Sequence, residues 1–270
     1  MNKKARVFSL AFFYAIFSVC PSCFFINFLI IYIRYRLGVV CISAWQSIWE
    51  GFDFTYLMSI VSALVPSLLC ITLHELSHGY AAFLLGDDTA KKAGRLTLNP
   101  LKHLDPMGLL MLAVFHVGWA KPVPVNMFKF KNPKRGMAVT ALAGPVSNLL
   151  IAVIFMFLYG IFFIPLRDST VGDYVLTMLQ LTVYISLGLA LFNFIPIPPL
   201  DGSKVLFSLL SDESYRKLMR YEKYGSILML ALVASGILGK PLTDLIEKIF
   251  DFLLPIAQAG CDMVFNIFYK

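Results

Sequence analysis

His74-Glu75-Leu76-Ser77-His78 places two imidazoles four residues apart with a carboxylate between them. On an α-helix, residues four apart share a face, so His74 and His78 can hold one metal ion. Glu75 projects about 60° from His78 and about 100° from His74 by the 3.6-residue period, so all three groups fall in one arc. Two ligands beside a carboxylate that can take a proton from water is the chemistry of a zinc hydrolase. The setting sharpens this reading. No charged residue lies between Asp53 and Glu75, and ionisable groups at membrane depth mark function by default.

A hydrolytic zinc site takes three protein ligands and leaves a fourth position for water. Candidates for the third are Asp87, Asp88, His103, Asp105, His116 and Asp201. Asp87 and Asp88 follow Gly86, just past the expected helix end, and read as solvated caps. His103 and Asp105 lie beside Pro106 in a polar loop, where turn and capping roles suit them. His116 sits in an apolar segment with Trp119 and reads as a satisfied core or interfacial histidine. Asp201 stands apart. It follows Asn193-Phe194-Ile195-Pro196-Ile197-Pro198-Pro199-Leu200, where three prolines break a helix at the end of an apolar run. Broken backbone at that depth is tolerated only when buried in protein or lining a wet cavity. Gly202 permits a turn denied to other residues. A carboxylate delivered there completes a His, His, Asp set. Charge favours it: a divalent cation, two neutral imidazoles, one carboxylate and a hydroxide sum to zero, which lowers the cost of a low-dielectric site.

A further polar interruption is Gly144-Pro145-Val146-Ser147-Asn148. Pro145 frees the carbonyl of Ala141, and Gly144 allows close approach of a neighbour. Asn148 is then placed to donate to a developing oxyanion, to hold an extended substrate backbone, or to make an interhelical hydrogen bond.

The elements that must position these groups are membrane helices. The chain has 270 residues, 59% hydrophobic and 14% charged, with mean hydropathy +0.76. A soluble protein of this length could not cover such a surface. The net charge of +7 would point to nucleic acid in a soluble chain; here it fits cytoplasmic loops facing anionic lipid, with no nucleic-acid partner. Five cysteines give no disulfide framework, and Cys20 and Cys23 flank a proline inside an apolar run.

Uncharged runs at Phe8–Ile33, Phe54–Leu85 (interrupted by Glu75), Gly136–Leu166 and Tyr174–Leu200 read as spans. Tyr224–Gly239 is marginal, and Pro241–Lys270 reads as an amphipathic or short last span. Pro106–Ala120, 15 residues, is too short to cross. If it re-enters, the basic clusters around Lys91–Lys102 and Lys121–Arg135 share one side with Lys3, Lys4, Arg6 and Lys204–Lys223. The positive-inside rule favours that layout, with the motif and Asp201 toward the cytoplasm. Gly94–Leu98 and Lys121–Phe130 alternate polar and apolar residues and read as short edge strands. The expectation is an all-α multi-pass membrane protein of about 5–6 spans with a small membrane-proximal β element. It divides into 1–53, a first span and external loop; 54–210, the catalytic core; and 211–270, C-terminal helices.

With HELSH, GPVSN and NFIPIPPLDG in this order on membrane runs, the chain resembles the site-2 protease family of intramembrane zinc metalloproteases. The likeness extends through GRLTLNPLKHLDPMG and GWAKPVPVN and covers roughly Ser59 to Leu210. It implies one zinc ion on His74, His78 and Asp201, with Glu75 as general base. It also places Asn148 and Asn193 near the substrate or oxyanion. The implied activity is hydrolysis of peptide bonds in or near transmembrane segments of membrane-tethered proteins, in the plasma membrane of a prokaryote. Its partners are then a substrate carrying a transmembrane helix and the lipid bilayer. Two other readings are an inactive family member that binds membrane proteins, and a transporter whose path is lined by the same polar groups. The transporter reading leaves the spacing of His74 and His78 unexplained.

Overall fold

The computed structural model describes residues 54–105, 121–235 and 237–268. The first span expected at Phe8–Ile33, the Cys20 and Cys23 pair, the segment Pro106–Ala120 and His116 lie outside the described residues. What is described is mostly helical. The long helices are α1 (Phe54–Leu84), α3 (Pro133–Leu166), α4 (Thr170–Asn193), α6 (Asp212–Ala234) and α7 (Gly239–Phe268). Two short ones, α2 (Thr89–Lys92) and α5 (Asp201–Ser208), sit in the connections.

Local sequence sets the helix starts. Asn132 caps α3 by accepting the N–H of Arg135, with Pro133 in the first turn. Ser169 caps α4 by accepting the N–H of Gly172. α3 and α4 are long and apolar enough to cross a membrane. They differ in surroundings. α4 is the central helix, nearly continuously buried from Leu181 to Ala190, whereas α3 leaves Leu150, Ile154 and Phe162 exposed. An apolar face of that kind in a chain this hydrophobic is a face for lipid.

α3 packs chiefly on α4, then on α7 and α1, and α5 docks on α3. The core formed there includes Cys70 of α1, Met156 of α3, Val183, Leu187 and Phe192 of α4, and Ile246 and Leu253 of α7. α4 ends at Asn193. The proline-rich turn then returns the chain to α5, whose first residue is Asp201.

Two expectations are corrected. Tyr224–Gly239 is not a helix of its own: α6 begins at Asp212, runs through the charged stretch and stops at Ala234. The edge strands expected at Gly94–Leu98 and Lys121–Phe130 do not form among the described residues. Lys121–Asn126 is neither helix nor strand. Pro122 and Pro124 have no N–H to offer, Val123 spends its N–H on Glu75, and Asn126 spends its own on Asp87. The N–H of Lys121 reaches across to the neighbouring stretch at the carbonyl of His103, 2.9 Å away.

Candidate metal centre

Three helices meet at the motif. α1 carries His74, Glu75 and His78; α3 passes them at Gly144; α5 starts beside them with Asp201. Ligand atoms of His74, His78 and Asp201 all lie within 4.8 Å of one another. Oδ2 of Asp201 is 3.4 Å from Nε2 of His74 and 3.1 Å from Nε2 of His78, and the two Nε2 atoms are 3.0 Å apart. All three residues are buried, with at most 9% exposed.

These distances can be set against zinc directly. Tetrahedral bonds of about 2.0–2.2 Å place neighbouring donor atoms about 3.3 Å apart. The three separations bracket that value. Ring chemistry agrees for His78. Its Nδ1 lies 2.7 Å from the carbonyl oxygen of Thr140; a carbonyl only accepts, so Nδ1 carries the proton and Nε2 keeps its lone pair for a cation. The donor set fits zinc.

Two glycines make the cluster possible. A Cβ on Gly144 would stand 2.5 Å from Cε1 of His78 and 2.7 Å from Cε1 of His74, so only a residue without a side chain lets α3 pass the rings. A Cβ on Gly202 would stand 2.6 Å from the carbonyl carbon of Phe194 and 2.7 Å from the oxygen of Ile195. Gly202 therefore lets the start of α5 nest in the proline turn, which fixes where Asp201 points. The other oxygen of Asp201 has Lys204 Nζ at 3.7 Å.

Glu75 is held from outside α1. Its Oε2 accepts the backbone N–H of Val123 at 2.9 Å. The segment that supplies this donor is tied down at both ends. Arg95 Nη2 donates to the carbonyl of Lys121 at 2.6 Å, and Oδ2 of Asp87 accepts the N–H of Asn126 at 2.6 Å. Asp87 is thus fully buried, not the solvated cap its position after Gly86 suggests. Burial opposes its charge, but the N–H of Asn126, both donors of Thr89 and nearby Lys129 together hold its carboxyl below the usual range. Lys129 and Lys92 likewise hold Asp88 below that range, at about 2.

Asn148 is fully buried, with its amide nitrogen 3.3 Å from Nδ1 of His74. Asn193 donates to the carbonyl of Leu189, one turn back on its own helix, at 2.9 Å. His103 is buried in the loop, where Nε2 donates to the carbonyl of Thr97 at 3.0 Å. Beside the cluster a cleft of about 700 Å³ opens between α1 and α3, lined by Leu76, Ser77, Tyr80, Ala143, Val146 and Ser147. Its walls are largely apolar, so a hydrophobic chain can approach the motif helix without crossing polar surface.

A buried His, His, carboxylate set beside a second carboxylate, packed against helices long and apolar enough to cross a membrane, defines a membrane metallohydrolase. The comparisons narrow this. The model of peptidase family M50 matches residues 159–237, the stretch holding Asn193 and Asp201. The chain is 39% identical over 220 residues to a Bacillus subtilis protein named "Putative zinc metalloprotease YwhC", covering 79% of this chain and 94% of that one. It is 30% identical over 204 residues to "Putative zinc metalloprotease Rip2" of Mycolicibacterium smegmatis, covering 73% and 76%. It is also 29% identical over 161 residues to "Putative zinc metalloprotease MJ0611" of Methanocaldococcus jannaschii, covering 58% and 76%. No solved structure matches. The chain belongs to peptidase family M50. It is a membrane zinc metalloprotease.

Proposed function

We propose that this protein cuts peptide bonds in or near transmembrane segments of membrane-tethered proteins. His74, His78 and Asp201 hold one zinc ion, and Glu75 is the general base. The convergence of three donor atoms from α1 and α5 at zinc-like separations, next to Glu75, carries this reading. Bound zinc supplies Lewis acidity, lowering the pKa of water toward about 7 and polarising the scissile carbonyl. Glu75 takes the proton of the attacking water and returns it to the leaving amine as the C–N bond breaks. The N–H of Val123 holds Oε2, so Oε1 is the oxygen turned to that task. A substrate helix hides its carbonyls in internal hydrogen bonds and must unwind first. The Lys121–Asn126 segment, lying over Glu75, supports a role in holding the unwound strand.

The site faces the cytoplasm of a prokaryotic, multi-pass plasma-membrane protein in this reading. Lys91 lies over Phe83 in the last turn of α1, and Lys92 and Lys129 pair with Asp88 just beyond it, an end that the positive-inside rule assigns to that side. The test is reconstitution of the full chain in liposomes with membrane-tethered reporters, selected by comparing membrane-protein fragments from cells expressing wild type or Glu75→Gln. Glu75→Gln keeps its zinc and loses cleavage by roughly 10²–10⁴-fold. Wild-type turnover by that variant overturns the assignment.

A further inference from the structure

Both imidazoles can present Nε2 to one cation only if both carry their proton on Nδ1. For His78 the carbonyl of Thr140 settles this. For His74 the hydrogen-bonding neighbour at Nδ1 is the side-chain amide of Asn148, whose nitrogen stands 3.3 Å away while its oxygen, also buried, has no hydrogen-bond partner among the described residues. With the NH₂ end there, Nδ1 must accept, and the ring proton is forced onto Nε2. That N–H then points at Nε2 of His78 and Oδ2 of Asp201, 3.0 and 3.4 Å away, and closes the ring to a cation. A half-turn of the carboxamide exchanges two groups of the same shape. The oxygen then accepts from Nδ1–H of His74, the stranded acceptor is satisfied, and Nε2 recovers its lone pair.

We propose that Asn148 is a positioning residue for His74: its carboxamide oxygen accepts the Nδ1 proton and fixes the tautomer in which Nε2 faces the cation. This reassigns Asn148 from the substrate to the ligand, and it rests on His74 being a ligand. α3 then serves both rings from one face. Thr140 and Asn148 stand one turn either side of Gly144, so the gap that admits the rings is bracketed by the two acceptors that orient them.

The experiment is a competitive-chelator titration of zinc on the purified full chain in micelles. Variants are Asn148→Leu, which has no acceptor, and Asn148→Asp, which keeps an acceptor and has no donor when ionised. Asn148→Leu weakens zinc about 10- to 100-fold, and Asn148→Asp stays within a few-fold of wild type. Wild-type affinity in Asn148→Leu, or equal losses in both, overturns the proposal. The wild-type chain gives a second readout that does not depend on the folding of any variant. In ¹⁵N-histidine spectra of zinc-free protein at pH 8, His74 carries its proton on Nδ1; a proton on Nε2 overturns the proposal. His74→Ala separates the two levels. If that variant keeps zinc, the site itself is wrong and the role of Asn148 goes with it. If it loses zinc while Asn148→Leu does not, only the role of Asn148 is wrong.

Discussion

The carboxylate of Glu75 and the backbone N–H of Val123 meet at 2.9 Å, although 48 positions separate them in the chain. The carboxylate proposed as base is therefore steadied by a segment outside its own helix. Pro122 and Pro124 flank the donor, so Val123 offers the single N–H of that triplet. Val123→Pro removes it while leaving a similar apolar bulk. A hydrogen bond to a charged group is worth about 1.5–3 kcal/mol, or about 10- to 100-fold. Cleavage by Val123→Pro is expected to fall by about that factor at unchanged zinc content, measured by metal analysis and reporter cleavage on the same preparation. An unaltered rate would remove the segment from the mechanism.

Gly144→Ala tests the seat that α3 provides. The added methyl would lie within 2.7 Å of both histidine rings, so the rings or α3 must shift. Overpacking of this kind costs about 1–3 kcal/mol, and here it falls on donor atoms. Purified Gly144→Ala is expected to remain helical by circular dichroism and to hold well under one zinc per chain.

Gly202→Ala tests the delivery of Asp201. The obstructing atoms are the backbone of Phe194 and Ile195, which cannot rotate away as a side chain would. α5 is displaced and Asp201 with it. Zinc affinity should drop at least tenfold, whereas Ser203→Ala, which only loses a hydroxyl bond to the carbonyl of Leu200, should leave zinc binding near wild type.

The clamp at the end of α1 is acid-sensitive in a defined direction. Asp87 and Asp88 have folded values below the ordinary carboxylate range, Asp88 about 2. Their contribution is therefore fully present above about pH 4 and is lost as pH falls through the folded values. Hydrogen exchange at Asn126, corrected for the intrinsic rate, should stay protected at pH 5 and lose protection toward pH 2. Asp87→Ala, which strands the N–H of Asn126, should lose it already at pH 5.

The sequence made parts of this legible for physical reasons. His74, Glu75 and His78 lie on one helix, and a fixed period makes their common face readable. Asp201 was legible as their neighbour because prolines at depth demand a buried or wet setting, and the structure brings it within 3.4 Å of both rings. Contacts that depend on which helices cross were not. Nothing in the local sequence says that Gly144 faces the rings, or that Val123 reaches Glu75. Asp87 was misread as solvated because a glycine and two acids after a helix look like a surface end; its burial comes from Lys121–Asn126 folding over it. The alternation in that segment imitates a strand, but Pro122 and Pro124 have no N–H and Val123 and Asn126 give theirs to carboxylates.

Asp201 is made 123 residues after His78. The growing chain thus carries its histidines and glutamate into the bilayer well before the carboxylate that completes their cluster has been translated. On the proposed ligand set, the centre is complete only once α4 and the proline turn after it have been made.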